Sequence, residues 1–511
     1  MRLPDEPFLR IRLRGSHAEV AGVQGMQLGQ VRLPAALQTG RDVYAEWHWD
    51  GAEVLVRNCR LGYFPIYYYA TENEFGVSPS VETLVAQGAP THIDDAALAV
   101  YLRLGWTLGE DTVFRAIRAL PPDATVRWSG GAPVITSGFA HPRPLAIDRA
   151  GAIDAFAELL RDAVRRRSGA GADEVMPLSG GRDSRSILFE LQRQHRVPRL
   201  FVTNHDFPPY RRENIDVSRL LASRMGARHA AIGQPGSRLR YELLKNRLNN
   251  FGANENAWCV SLYEHLGREF RNPVVYEGSP GAASYGSYQD DDSMALLERG
   301  SYEQLAGRIL DRWLGWQASE DALQRVMTTE ASRRFSRDAA IARAARELER
   351  CASAANPLQA FYFWNRGRQV AALQPFSIAR RLGVNAVTPY LDHELVDFLG
   401  ALPPSVRIDK ALHTAAIRRI YPEFDDIPFA GDLNTPIVDS NRHYRRLLVE
   451  SMAYVGTHGD GRFVRRASLV RRLASFAVSG GNLRMRIRWT APFAALYLVQ
   501  LESLLGRAAQ S

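Results

Sequence analysis

The chain has 511 residues, enough for two or three domains, and an apolar share of 46% that allows a large core. Its formal net charge of +9 favours an anionic partner such as a nucleotide, an acidic peptide or a nucleic acid, although of 64 lysines and arginines only Lys245 and Lys410 are lysines. Cys59, Cys259 and Cys351 lie far apart without ligand spacing, which excludes a zinc site and a disulfide framework, and neither a signal region after Met1-Arg2-Leu3 nor a bilayer-length apolar run is present, so a cytoplasmic protein without stable membrane insertion is expected.

The first 130 residues hold short runs with strand character. Phe8–Leu13, Val43–Trp49 and Val54–Arg57 alternate apolar and polar positions, and Gly51, Gly62 and Gly76 punctuate them. Residues 94–104 read as a helix, and Leu120-Pro121-Pro122-Asp123 as a turn. From about residue 150 the pattern changes. Ala152–Arg166 is an amphipathic helix, Val175–Leu178 a buried strand, Leu200–Asn204 a second strand and Val274–Tyr276 a third. Strands alternating with helices predict a parallel, doubly wound sheet with ligands at the carboxyl ends of its strands. Beyond residue 300 nearly everything reads as helix.

One loop carries most of the chemistry. Leu178-Ser179-Gly180-Gly181-Arg182-Asp183-Ser184 follows the first strand of the sheet and opens a helix with Ile187, Leu188 and Leu191 on one face. Gly180 and Gly181 let the backbone approach a ligand, and free N–H groups at a helix start attract phosphate. Ser179 and Ser184 add hydroxyl donors. Asp183 suits a metal ion carried by phosphate. This is a pyrophosphate cradle of a kind other than the Walker loop, because no Gly-Lys-Ser/Thr follows. It implies an enzyme that uses ATP with Mg2+.

The Ser-Gly-Gly-x-Asp-Ser loop resembles that of the ATP pyrophosphatases, which include asparagine, GMP and NAD synthetases and tRNA-thiolating enzymes. Further segments resemble the asparagine synthetases in particular: Arg60-Leu61-Gly62-Tyr63-Phe64-Pro65-Ile66-Tyr67-Tyr68, then Tyr101–Gly105 with Thr112–Pro122, then Thr388-Pro389-Tyr390-Leu391-Asp392-His393, then Lys410–Pro422. The resemblance implies an α/β fold in two parts. Residues 1–140 would form a degenerate Ntn-type sandwich of the αββα kind. Residues 150–511 would form a doubly wound parallel-sheet ATP-pyrophosphatase domain with a helical C-terminal region. It also implies nucleotide binding by Leu178, Ser179, Gly180, Gly181, Arg182, Asp183 and Ser184, with Val202 and Thr203 at the adenine and Gly278 at the third strand's turn.

Three departures from that family narrow the reaction. Its glutamine-cleaving members use an N-terminal cysteine, whereas this sequence begins Met1-Arg2, so an amine already present in the substrate is expected to attack. The turn after the third strand lacks the usual magnesium acid, and Ala282 stands in its register. Either Glu277, or the run Asp290-Asp291-Asp292, takes that role, or Asp183 carries it alone. Finally, the tyrosine–glutamate pair and late lysine of the β-lactam formers are missing near Gln374-Pro375-Phe376 and after Pro422. Lys410 is the one lysine nearby, and Arg366 and Arg368 could hold phosphate in its place.

The pattern looks most like a lasso peptide cyclase. Such an enzyme adenylates an Asp or Glu side chain of a core peptide and joins it to the peptide's N-terminal amine. The expected catalytic residues are Asp183, Lys410, Arg366 and Arg368. Substrate would meet Asn254, Glu255, Tyr276 and Tyr285, and metal would meet Asp183, Glu277 or Asp290. Expected partners are the precursor peptide, with a leader peptidase and a leader-binding protein of the same pathway, and no nucleic acid. The alternatives are a small-molecule lactam synthetase, an asparagine synthetase-like amide ligase and a non-catalytic scaffold.

Overall fold

The computed structural model describes residues 3–15, 17–30, 43–167, 174–204, 212–233, 236–279, 290–406, 410–433, 435, 441–478, 483 and 491–509. In chain order its strands are β1 (Leu9–Arg14), β2 (His17–Gly22), β3 (Gly25–Gln30), β4 (Val43–Trp49), β5 (Val54–Asn58), β6 (Tyr67–Ala70), β7 (Glu74–Ser78), β8 (Arg118–Ala119), β9 (Ala124–Trp128), β10 (Val134–Ser137), β11 (Glu174–Pro177), β12 (Leu200–Asn204), β13 (Arg228–Ile232), β14 (Val274–Tyr276) and β15 (Asn385–Val387).

The first ten strands build two antiparallel sheets, in the orders β2-β1-β7-β6-β8 and β10-β9-β5-β4-β3. Alternation along the strands sends one set of side chains between the sheets. Leu9, Ile11, Phe75 and Val77 meet Ala45, Trp47, Val56, Val126 and Trp128 there, with the Phe75 and Trp128 rings 5.5 Å apart. The middle tyrosine of β6 joins that core, while Tyr67 and Tyr69 face the helix Asp95–Leu104 on the other side. That helix starts at Asp94, whose side chain accepts from Ala97 N, and stops at Gly105, which has the positive φ that favours glycine. The outward positions Glu46, His48, Arg57 and Arg127 keep the other sheet's outer face polar.

The last five strands form a wholly parallel sheet, order β13-β12-β11-β14-β15. Met176, Phe201 and Tyr276 face the helices Arg149–Arg167, Asp183–Arg193 and Glu213–Arg224. Val175, Val202 and Val275 face Arg238–Leu248 and Ala257–Glu269. The sheet is thus doubly wound, as expected. Chain order reverses between β11 and β14, and a crevice is left at their carboxyl ends. The C-terminal part is helical, and no helix among the described residues is long and apolar enough to cross a membrane.

The two parts are bound tightly together along a seam. Trp106 bridges Ala253, and Thr107 N donates to Gly252 O at 3.0 Å. Glu6 pairs with Arg380 at 2.7 Å and Arg381 at 3.0 Å, and Arg60 with Asp397 at 2.6 Å. The segment Phe363–Ala371 is a π-helix, a rare wide form, in which Ala372 N donates to Gly367 O at 2.9 Å. It is held to the sandwich by side chains. Gly109 N donates to Asn365 Oδ1 at 2.7 Å, and Gln369 Nε2 donates to Gly109 O at 2.8 Å. Arg368 Nη2 donates to Leu120 O at 2.9 Å.

A Gln369→Met substitution keeps the volume and leaves the buried Gly109 carbonyl without its donor. It should lower stability by about 1–3 kcal/mol in urea unfolding, and an unchanged midpoint would show that the grip on Gly109 contributes nothing.

Candidate active site

The loop after β11 lies in the crevice between β11 and β14. Its shape depends on two close approaches. A Cβ at Gly180 would stand 2.4 Å from Ala430 Cβ, and one at Gly278 would stand 2.8 Å from Ser184 N. Arg185 braces the opposing segment from below, donating to Ile427 O at 2.8 Å and Pro428 O at 2.6 Å. Ala430 N then donates to Gly180 O at 2.8 Å. Arg182 stacks over Phe429 at 4.3 Å, and its Nε donates to Thr414 Oγ1 at 2.6 Å.

The loop's own amides differ from the expected set of free donors. Ser179 N donates to Ser184 Oγ at 3.3 Å, Gly181 N to Ser179 Oγ at 3.2 Å, and Gly180 N to Asn214 Oδ1 at 3.0 Å. The amides left to an incoming anion are those of the first turn of Asp183–Arg193, which have no acceptor within the helix. Asp183 has a third of its side chain exposed (32%), and its Oδ1 lies 3.4 Å from the buried His413 Nδ1. Burial holds His413 down at about 3, so this neighbour is neutral.

A cavity of about 390 Å³ opens beside the loop, and Leu178, Ser179, Asp183, Ser184, Val202, Thr203 and Gly278 line it. Thr203 is occupied, donating to Leu178 O at 2.9 Å and meeting His229 Nε2 at 2.9 Å. Opposite the loop stand Glu277, Gln374, Glu255 and Arg366. Glu277 is buried. Tyr263 OH donates to its Oε1 at 2.5 Å and Gln374 Nε2 to its Oε2 at 2.9 Å. With no cation paired to it among the described residues, desolvation pushes its pKa up to about 7. Arg366 grips Glu255 with both sides of its fork, Nε to Oε1 at 2.9 Å and Nη2 to Oε2, and its guanidinium is flanked by Tyr362, Trp313 and Trp106. Trp258 is 40% exposed at the rim.

Several expected site residues stand elsewhere. Arg368 turns away toward Gly62 O and Leu120 O, because side chains two apart on a widened helix leave in different directions. Tyr276 is buried on the sheet face opposite Val275 and donates to Glu174 Oε1 at 3.0 Å. Asn254 lies behind the wall, where Lys245 Nζ donates to its Oδ1 at 2.6 Å. Asp290 caps the helix Asp291–Glu298 and is held by Arg308 at 3.0 Å and Arg312 at 3.1 Å, which takes it out of the cavity. Lys410 opens the helix Lys410–Ile420, but its side chain lies outside the described residues, as do Tyr285 and Ala282. Asn214, Tyr263, Gln374 and His413 carry no spacing signal in the sequence. Only the fold brings them in. No cluster of three or more His, Cys, Asp or Glu suited to a metal exists among the described residues.

All three cysteines are buried, and burial pushes the thiols of Cys259 and Cys351 far above their ordinary range. None lines the cavity beside the loop. Residues 26–137 match the glutamine amidotransferase domain family. The matched stretch covers most of the antiparallel sandwich, from β3 to β10. No curated protein matches the chain. Among solved structures, the chain is similar to an allosteric regulatory enzyme of purine biosynthesis at 11% identity and TM-score 0.15, covering 38% of this chain and 47% of that one. It is also similar to the glutamine phosphoribosylpyrophosphate amidotransferase from B. subtilis complexed with ADP and GMP at 14% identity and TM-score 0.15, covering 47% of this chain and 49% of that one. The chain therefore spans about half the length of each.

The raised carboxyl of Glu277 has a consequence for stability. Folded, it keeps its proton up to about pH 7. Unfolded, it releases it near ~4.3. The unfolded chain then binds fewer protons in that window, so this group makes stability fall as pH rises, by about 4 kcal/mol in all. Relative to wild type, Glu277→Gln should lose that slope in urea unfolding between about pH 4.5 and 7.5. Parallel profiles for the two proteins would contradict the buried, uncompensated acid.

Proposed function

We propose that the chain is an ATP-dependent amide-bond-forming enzyme. In this reading residues 1–140 are a glutaminase-type domain no longer used to cut glutamine, and residues 150–511 are an adenylating domain. The observation that carries it is the single cavity in which the Ser179–Ser184 loop faces a buried acid, Glu277, and a preformed ion pair, Glu255 with Arg366. One side suits phosphates and the other suits an acceptor.

The residues fit the group that the loop implies. Ser179, Asp183 and Ser184 line the cavity, and the first turn of Asp183–Arg193 offers amides. Asp183 would hold a magnesium ion carried by the nucleotide, which would neutralise phosphate charge. ATP is the co-substrate that turns a carboxylate into an acylating agent. Glu277, a metal candidate by sequence, fits better as a proton acceptor, because a pKa of about 7 matches the task at neutral pH. When an amine nitrogen attacks the activated acyl carbon, the N–C bond forms, AMP departs, and the amine's proton passes to a Glu277 carboxylate oxygen. Tyr263 and Gln374 hold that carboxylate in place.

All three thiols are buried and none lines the cavity, which supports an amine that arrives on the substrate. The finer reading is a lasso-type macrolactam cyclase acting on a core peptide, with Trp258 at the rim as a contact for an extended substrate. The leader peptidase and leader-binding protein belong to that reading.

Two variants separate activation from amide formation. Asp183→Asn should abolish both carboxylate-dependent pyrophosphate exchange and product. Glu277→Gln should keep exchange within a few-fold and lower amide product by about 10²–10⁴. Full exchange in Asp183→Asn, or equal loss of both readouts in Glu277→Gln, would contradict the assignment. Absence of exchange in wild type with any peptide or amino-acid carboxylate would favour a non-catalytic scaffold.

A further inference from the structure

A second cavity, of about 720 Å³, lies at the seam between the sandwich and the helical region. The same π-helix serves both cavities: Arg366 and Val370 line the first, Trp364 and Arg368 the second. The linker after β10 contributes Phe139 and His141. One wall is aromatic, with the Phe139 ring 4.2 Å from Trp364 and 5.3 Å from His141. Burial lowers the His141 pKa, so this wall is uncharged at neutral pH.

The other wall is charged, and its cations are matched except for one. Arg118 pairs with Asp111 at 2.9 Å, and Arg350 pairs with Glu110 at 3.0 Å and with Glu347 at 3.3 Å. Arg368, only 9% exposed, forms no ion pair among the described residues. Its hydrogen bonds go to the neutral oxygens Leu120 O at 2.9 Å and Gly62 O at 3.4 Å, and neither uses Nη1. Glu110 and Glu347 act on it only from farther away and are already engaged by Arg350 and Arg343. Arginine keeps its proton even when buried. A buried guanidinium without a counter-charge is costly, and a ligand that supplies one removes the cost.

We propose that this seam cavity binds a small aromatic carboxylate, its carboxylate paired with Arg368 and its ring against Trp364 and Phe139. One unmatched positive charge, with two acids close by, favours a singly charged anion over a phosphate dianion. The site is separate from the nucleotide loop, so the two ligands do not compete.

Calorimetry with indole-3-acetate and its neutral counterpart indole-3-acetamide tests this on the full chain. The acid should bind wild type at least about tenfold more tightly than the amide. Arg368→Gln should bring the two to within about twofold, and Trp364→Leu should weaken both alike. Saturating ATP with magnesium should leave the acid's affinity unchanged. Equal binding of acid and amide by wild type, no binding of the acid at millimolar concentration, or displacement by ATP would each overturn the proposal. Should Arg368→Gln fail to fold, the wild-type ratio and the Trp364→Leu variant still decide it.

Discussion

The grip of Asn365 and Gln369 on both backbone groups of Gly109 sets where the acceptor wall stands. π-Helices are rare and occur mostly as single turns, so a run of nine residues depends on the contacts that hold it. Here the antiparallel sandwich does so, through Gly109, Gly62 and Leu120. Arg366 projects from that same run into the cavity. The sandwich therefore has a physical role in the proposed reaction even if it cuts no glutamine. It holds the segment from which Arg366, Glu255's partner, reaches the site.

The opposite wall is held by packing of small residues. Gly180 and Gly278 let β11, β14 and the segment at Ala430 approach one another closely enough to fix the loop. The loop's amides donate to the hydroxyls of Ser184 and Ser179 and to Asn214 Oδ1, which avoids leaving donors unpaired. Binding of phosphate would exchange these bonds for charge-assisted ones. The acid behind it is treated differently. Among the described residues Glu277 receives hydrogen bonds but no cation, so it stays near the point of proton exchange, whereas Glu255 is paired with Arg366.

Much of this was legible in the chain. Val43–Trp49, Leu200–Asn204 and Val274–Tyr276 match their strands because apolar runs between breakers leave little choice. The junction at Ser179–Ser184 was readable because an apolar strand run precedes it and a helix with Ile187, Leu188 and Leu191 on one face follows. What sequence could not supply was direction. Arg366 and Arg368 look equivalent until a widened helix sends them to different cavities. Tyr276 and Glu277 are neighbours, yet the pleat buries one against Glu174 and puts the other on the cavity wall. Asp290 is an instructive miss, since an aspartate three residues before Ser293 at a helix start is a cap before it is a metal ligand. The Tyr263–Glu277–Gln374 group joins residues up to 111 positions apart, which no local pattern encodes.

The central claim is that the crevice between β11 and β14 receives nucleotide phosphates on the Ser179–Ser184 loop. A crystal structure with α,β-methylene-ATP and magnesium tests it directly. The account predicts phosphate oxygens at the first-turn amides of Asp183–Arg193, with the ion on Asp183 and Gly180 N released from Asn214. Nucleotide bound outside this crevice, or a loop still closed on Asn214 beside bound nucleotide, would contradict it.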